Sequence, residues 1–423
     1  MGPFFIQCFI RLLLYPDRMI QLHSSLTGSA NLGELIDQLT TTARTQFEKS
    51  ELPAVVVSPY RFNPLGAHID HQGGSVLART LNQYSVGAFY PTDDSSITIV
   101  PISFSDSSAE FNLGDAPTGE NWQRYAMASA SVFNDWALQQ GVLATGVKLV
   151  VEGTMVGAGL SSSASIILAY LVALAHVSNL KLTHADLVEL CRQVENEHMG
   201  LNNGVQDQMS VAFGRRDALS ELSVDDVQVE YWEDSANISE AEWLVCYSGF
   251  SRELINSGFN DRVSECKQGA ALLHPSAERL GDVPLNKRSV EAINALPGPL
   301  ARRAKHVYSE MQRVKDAKSL WTSGDWQSFG KMMNASCLSS IEHYECGSEP
   351  MHFLHTQARN TPGVYGSRFS GGGYGGCLVM LVDATETEAI GEKILSEFLA
   401  RYPEKTGIAS VFVAQSEGAV RIL

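Results

Sequence analysis

The segment GAGLSSSAS at 157–165 runs directly into IILAYLVALAHV at 166–177, and this junction sets the frame for the whole chain. Glycines let backbone N–H groups come close to an anion, and the helix that follows turns its positive N-terminus to the same spot. Polyphosphate binding is the chemistry such a loop suits; a plain tight turn into a buried helix is the alternative. No G-K-[ST] triplet follows and the third glycine of the dinucleotide fingerprint is absent, so this is neither a Walker A loop nor a Rossmann turn. Residues 162–177 are almost continuously apolar but too short to span a bilayer, which predicts a helix buried on most sides at the centre of an N-terminal domain. Thr183 and Asp186 then form a capping box, and Leu187, Leu190, Cys191, Val194 and His198 recur at helical spacing. A second, amphipathic helix is expected there.

Working outward, the pattern predicts a helix over 31–47, a strand over 54–57 and a turn-rich segment through 74. Strands follow at 84–90, 97–104 and 147–151, with a helix over 122–139. Downstream come a strand at 243–247, helices over 260–273 and 300–322 and from 326, a buried strand at 377–382, a helix over 385–402 and a last strand at 410–414. Both halves mix helices and strands, an α/β (α+β) composition. A stretch rich in Asp, Glu and Ser at 220–237 marks the boundary, giving domains over 21–222 and 223–423. Residues 1–20 form an N-terminal extension. Its apolar run at 4–14 lacks a preceding basic stretch and a small-residue cleavage site, and is too short to cross a membrane. A start at Met19 and a docked N-terminal segment both remain open.

The chain has 423 residues, 44% hydrophobic and 18% charged, which suits a soluble protein with buried cores. Its 47 acidic and 31 basic residues give a net charge of −16, with no Lys/Arg block. That argues against a nucleic-acid or anionic-membrane surface, so an anionic ligand needs a locally built positive site. Seven cysteines, an odd number without a C-x-x-C pair, point to reduced thiols and a cytoplasmic setting.

Two further glycine-rich segments stand out. SGGGYGG at 370–376 contains G-x-G-x-x-G, but a strand follows it where a dinucleotide site requires a helix. PYRFNPLGAHIDHQGG at 59–74 reads as a loop stiffened by two prolines and three glycines, presenting Arg61, His68, Asp70 and His71. These imidazoles and the carboxylate read as a hydrogen-bonding set rather than metal ligands, as does HFLH at 352–355.

Taken in order, the three segments resemble the signature motifs of the GHMP small-molecule kinases, specifically the galactokinase branch, from about residue 54 onward. Galactokinases read G-R-x-N-L-I-G-E-H-T-D-Y-N-G-G, then G-G/A-G-L-S-S-S-A, then C-G-I-M-D-Q with the catalytic aspartate, then G-G-G-F-G-G. Here NNGVQDQ at 202–208 matches the third of these, with Asp207 at the aspartate and Gly204 at the glycine. The resemblance implies a two-domain GHMP kinase fold with its active site in the interdomain cleft and the nucleotide mainly on the N-terminal domain. It makes the chain an ATP-dependent phosphotransferase acting as a monomer or homodimer, with no nucleic-acid or membrane partner.

The departures carry the substrate reading. Where galactokinases place a glutamate that binds the C6 hydroxyl, this chain has Ala67. A carboxylate there cannot donate a hydrogen bond, and beside a second carboxylate it adds repulsion and desolvation. Alanine removes both costs and frees volume, as a sugar acid carboxylated at C6 requires; a drifted galactokinase loop is the alternative. HIDHQGG at 68–74 and SSIEHYECGSEP at 339–350 are similar to plant-type galacturonokinases, which phosphorylate D-galacturonate at C1. The tyrosine that contacts the sugar in galactokinases is matched by Phe259, which lacks the hydroxyl and can only pack on the ring.

By this resemblance Asp207 orients the C1 hydroxyl or accepts its proton, and Arg61 stabilises the transferred phosphoryl and keeps Asp207 ionised. Gly157, Ala158, Gly159, Leu160, Ser161, Ser162 and Ser163 cradle ATP, while Ser162 or Ser163 with Glu195 holds Mg²⁺. His68 and Asp70 bind ring hydroxyls, and His68, His71, Arg252 or backbone amides are candidates for the substrate carboxylate. The leading expectation is a galacturonate 1-kinase. Galactokinase and glucuronokinase are rivals within the enzyme class, and a non-catalytic galactokinase-like sugar sensor is the rival outside it.

Overall fold

The computed structural model describes residues 31–103, 107–118, 121–201, 203–251 and 258–423. The described chain begins with α1 (Leu32–Gln46), capped by Asn31, whose side chain accepts the Glu34 amide. Two long strands follow, β1 (Ala54–Leu65) and β2 (Val76–Pro91), paired antiparallel. Val55 and Val57 pack with Leu39 and Ala43 of α1, whereas Val56 belongs to the cluster on the opposite face. The period of two in a strand therefore explains why AVVV is apolar at every position: each face of the sheet has its own helical cover.

β3 (Ser96–Pro101), β4 (Ala109–Asn112), β5 (Val147–Gly153) and the C-terminal β12 (Arg421–Ile422) give the order β12-β1-β2-β5-β3-β4. A hairpin of β6 (Ala218–Ser223) and β7 (Gln228–Glu233) extends the same sheet from the start of β2. On the face away from α1 lie α2 (Asn121–Gln139), α3 (Ser162–Val177), α4 (His184–Gln193) and α5 (Gln206–Ala212). α3 is the expected central helix: Ile167, Leu168, Leu171 and Leu174 are all buried against the cluster holding Leu149 and Val151.

The second half builds a four-stranded antiparallel sheet from β8 (Ala241–Tyr247), β9 (Val364–Phe369), β10 (Cys377–Asp383) and β11 (Ser410–Val413), in the order β11-β8-β10-β9. Its helices are α6 (Phe259–Leu273), α7 (Val290–Asn294), α8 (Pro299–Ser323), α9 (Trp326–Glu342), α10 (Glu349–Asn360) and α11 (Thr387–Arg401). Leu244, Leu378 and Met380 pack with Met351 and Leu354 of α10 and Ile394 and Phe398 of α11. Trp243, Val245 and Leu381 join the other cluster, which continues into the first half. Phe62 lies 4.8 Å from Trp243, and Trp243 lies 5.9 Å from Trp321, so an aromatic bridge connects the two sheets.

Three features depart from the pattern-based expectation. The turn-rich segment after residue 57 is strand as far as Leu65, because register shifts at Pro59/Tyr60 and Phe62/Leu65 absorb the missing donors of both prolines. The polar stretch at 220–237 contains β6 and β7, so the 222/223 division falls inside β6, and both strands belong to the first sheet. The last residues return as β12 to pair with β1. The expected extension over 1–20 lies outside the described residues. Among the described residues all six cysteines are buried and unbonded, and no helix is long and apolar enough to cross a membrane.

Glu417 ties the returning tail down. It accepts from Tyr84 Oη at 2.7 Å and from Nε and Nη2 of Arg216 at 2.8 and 2.6 Å. Burial alone pushes its carboxyl pKa up, but the Gly418 amide, Tyr84 and Arg216 outweigh burial and hold it below the ordinary value. A group shifted down stabilises the fold above its unfolded pKa of about 4.3 and loses that contribution as pH falls through the lower folded value. Glu417→Gln is therefore expected to cost about 1–3 kcal/mol at pH 7 in urea denaturation. The difference from wild type should shrink below about pH 4; a pH-independent difference would mean that the charge contributes nothing.

Candidate active site

Arg61 sits on β1 between the two proline-induced irregularities, and its side chain is only 2% exposed. Nε and Nη2 both donate to Asp207 Oδ1, at 3.0 and 2.7 Å, and Nη1 donates to the carbonyl and hydroxyl of Ser370, at 2.9 and 3.3 Å. Its backbone amide donates to the Leu160 carbonyl at 3.1 Å. One residue thus joins all four motifs: its own segment, the glycine loop, the first turn of α5 and the SGGGYGG loop. The planar fork of guanidinium donors makes this possible, where an ammonium would meet fewer of these acceptors in fixed geometry.

The glycine loop turns at Gly157 and Gly159, with φ of 78° and 76°, and Ser161, at φ 62°, caps α3. Gly157 N donates to Ser162 Oγ at 3.1 Å, which closes the loop on itself. SGGGYGG packs against it backbone to backbone. A Cβ on Gly376 would lie 2.6 Å from the Ala158 carbonyl oxygen, closer than real Cβ contacts come. Gly376 therefore serves close approach to the loop over 157–163, while a Cβ on Gly373 would meet the Phe369 ring and one on Gly375 the carbonyls of Phe250 and Ser251, so the dinucleotide-like spelling answers to packing rather than to a dinucleotide fold.

The helical spacing through His198 places Glu195 on the second helix, but α4 ends at Gln193 and the chain widens into a π-helical turn over Val194–His198. Such turns recur at functional sites. This one leaves Glu195 1% exposed, with Ser163 Oγ donating to Oε1 at 2.9 Å and the Asn203 and Gln208 amides donating to Oε2 at 3.0 and 2.6 Å. The structure brings Ser163 rather than Ser162 to Glu195. A hydroxyl and a carboxylate are a donor set that suits a hard cation already carrying phosphate oxygens. Among the described residues no group of three or more His, Cys, Asp or Glu side chains could hold a metal by itself.

Beyond β1 the loop bends through Gly66 (φ 96°) and His68 (φ 58°) into a single 3-10 turn, Asp70–Gln72. Ala67 is 3% exposed, and its backbone is held from α8. Glu310 Oε1 accepts the Gly66 and Ala67 amides at 2.8 and 3.1 Å and the Ser336 hydroxyl at 2.6 Å, while Oε2 accepts Arg313 Nε at 2.6 Å. Burial opposes ionisation of Glu310, but the charges of Arg313 and Arg368 and the Ser336 hydroxyl together outweigh it, and the carboxyl is held down to about 2. Burial pushes His306 down to about 4, so its imidazole is neutral at pH 7. Ala67 O can only accept, so His306 Nε2 donates to it at 2.9 Å and Nδ1 accepts from Ser339 Oγ at 2.9 Å.

Asp70 faces Gly204 closely enough that a Cβ there would collide with its carboxylate. His71 lies between Asp70 and Tyr344, and His68 stacks on the Tyr344 ring at 4.5 Å with planes 10° apart. His68, Ala67, Asp70 and Gly204 are thus gathered beside one another, and Phe259 opens α6. Arg252 lies outside the described residues. Sequence reading missed Ser370 and Tyr344 as site residues although both lie in segments it singled out. It had no signal for Glu310, which sits among polar residues of α8 and is buried only by tertiary packing.

Family models match in three places: the GHMP kinase N-terminal domain over 124–215, the GHMP kinase C-terminal domain over 314–402, and the galactokinase galactose-binding signature over 44–91. The galacturonokinase of Arabidopsis thaliana is 32% identical, over 87% of this chain and 93% of its own length. The galactokinase of Enterococcus faecalis is also 32% identical, over 86% and 93%. The crystal structure of Lactococcus lactis galactokinase complexed with galactose superposes with a TM-score of 0.83 at 25% identity, covering 92% of this chain and 100% of that one. With these matches running through both halves of the fold, the chain belongs to the GHMP kinases, as a sugar kinase of the galactokinase and galacturonokinase type and a phosphotransferase that uses ATP.

Proposed function

We propose that the substrate is D-galacturonate and that the reaction transfers the γ-phosphoryl of ATP to its anomeric C1 hydroxyl. The observation that carries this reading is Ala67: a buried methyl group occupies the position where galactokinases place a sugar-binding carboxylate, and its backbone is held in place by Glu310 and His306. Alanine leaves room for the substrate carboxylate without adding charge against it. Galactose is the second reading, favoured by the match to the galactose-binding signature and by galactokinase relatives of equal identity.

In this reading Asp207 accepts the hydrogen bond of the C1 hydroxyl and aims its oxygen at the phosphorus. Arg61, already bonded to Asp207, lies where negative charge develops between hydroxyl and phosphoryl. Residues 157–163 take the phosphates on their amides at the N-terminus of α3. Ser163 and Glu195 hold Mg²⁺, which when bound neutralises phosphate charge. Asp70, beside Gly204 and His68, reads ring hydroxyls. In place of the 222/223 division we propose an N-terminal nucleotide domain that includes the β6–β7 hairpin and a C-terminal domain from β8, in a cytoplasmic monomer or homodimer.

ADP release with Mg·ATP should favour D-galacturonate over D-galactose by about a hundredfold in kcat/KM, roughly 2.7 kcal/mol, with D-glucuronate and N-acetylgalactosamine poorer still. Ala67→Glu should depress galacturonate turnover far more than galactose turnover; equal losses would mean that residue 67 does not face C6. Asp207→Asn is expected to lower kcat by about 10²–10⁴ while sugar KM changes little, and retention of wild-type kcat would remove Asp207 from the chemistry. Glu195→Ala should weaken Mn²⁺ binding to the ADP complex at least about tenfold, read by electron paramagnetic resonance. Unchanged Mn²⁺ affinity would assign the cation elsewhere.

A further inference from the structure

The two segments similar to plant-type galacturonokinases, HIDHQGG and SSIEHYECGSEP, meet in the folded chain. His71 replaces the tyrosine of the galactokinase motif, and Tyr344 comes from the connection between α9 and α10. His71 Nδ1 lies 3.2 Å from Asp70 Oδ1 and Nε2 lies 3.1 Å from Tyr344 Oη. The Tyr344 ring is fully buried under the His68 imidazole, and the Cys266 thiol donates to its oxygen at 3.8 Å.

The direction of the chain follows from the donors available. Burial pushes the Tyr344 hydroxyl pKa well up, so it keeps its proton. With the thiol donating to its oxygen, that proton points to His71 Nε2, which leaves the imidazole proton on Nδ1, facing the carboxylate. The resulting series runs Cys266, Tyr344, His71, Asp70. Each bond orients the next, and Tyr344 is itself anchored because Arg262 Nε donates to its carbonyl at 3.0 Å.

We propose that His71 and Tyr344 are positioning residues for sugar binding: together they aim the Asp70 carboxylate at the ring hydroxyls, while Tyr344 backs His68 on the same side. This rests on the assignment of Asp70 to the sugar site made above, and not on which sugar is preferred.

The test uses whichever sugar of the panel gives the highest kcat/KM, so a galactose preference does not disturb it. Tyr344→Phe removes the hydroxyl and keeps the ring against His68. It should raise sugar KM about tenfold, the weight of one ordinary hydrogen bond, with ATP KM moving less than about twofold. His71→Ala should do the same, and His71→Asn, whose amide can donate from near the Nδ1 position, should recover most of the loss. This second pair carries the test if Tyr344→Phe does not fold. Equal rises in the KM of sugar and ATP would show a general structural role and overturn the proposal. If Asp70→Asn raises sugar KM but neither His71→Ala nor Tyr344→Phe does, the positioning series fails while the Asp70 assignment stands. Unchanged sugar KM in Asp70→Asn would overturn both.

Discussion

The Arg61 guanidinium is the constraint on which the site is built. A cation this deeply buried is tolerated only when it is paired and its donors are met. Its acceptors, Asp207 and Ser370, lie 146 and 309 residues further along the chain. The charge is therefore satisfied only after both halves have closed around β1. Once they have, the candidate catalytic carboxylate, the SGGGYGG loop and, through the Arg61 amide, the glycine loop are registered against one another by a single residue.

The alternation of β1 separates this polar contact from the apolar core. Phe62 points to Trp243 and the aromatic bridge between the sheets, while Arg61 and Asn63, on the other face, meet residues from the end of β9. Arg368 Nη1 donates to Asn63 Oδ1 at 2.7 Å, and burial pushes its guanidinium pKa down, against the attraction of the nearby Glu310. The two halves are thus held by an apolar contact and a polar one on opposite faces of the same strand. The apolar side buries hydrophobic area, and the polar side adds directional bonds that tie Arg61 and Asn63 to Ser370 and Arg368.

Much of this was legible in the chain. α3 is found over the residues that the apolar run delimits, the Thr183–Asp186 capping box is present, and the four motifs converge on one place. What the pattern concealed has physical causes. Pro59 and Pro64 read as breakers, yet the register shifts between β1 and β2 accommodate them. The β6–β7 hairpin has partly solvated positions and so lacks a continuous apolar signal. The π-helical turn at Glu195 preserves helical spacing in the sequence while changing which way residues face. Glu310 looks like any solvated helix residue, because its burial is decided by a loop 244 residues earlier.

That last contact bears on how specificity changes within such a fold. The loop at Gly66 and Ala67 is held through backbone amides by Glu310 and through a carbonyl by His306, so its conformation does not depend on the side chain at position 67. The support comes from α8 through the backbone and not through the side chain at position 67. Under the galacturonate proposal, substrate charge at C6 is accommodated by changing one side chain while Arg61, Asp207 and the glycine loop keep their geometry. The separation matters energetically: a residue that both shaped the loop and contacted the sugar would incur a folding cost with each change of substrate, whereas here α8 carries the shaping.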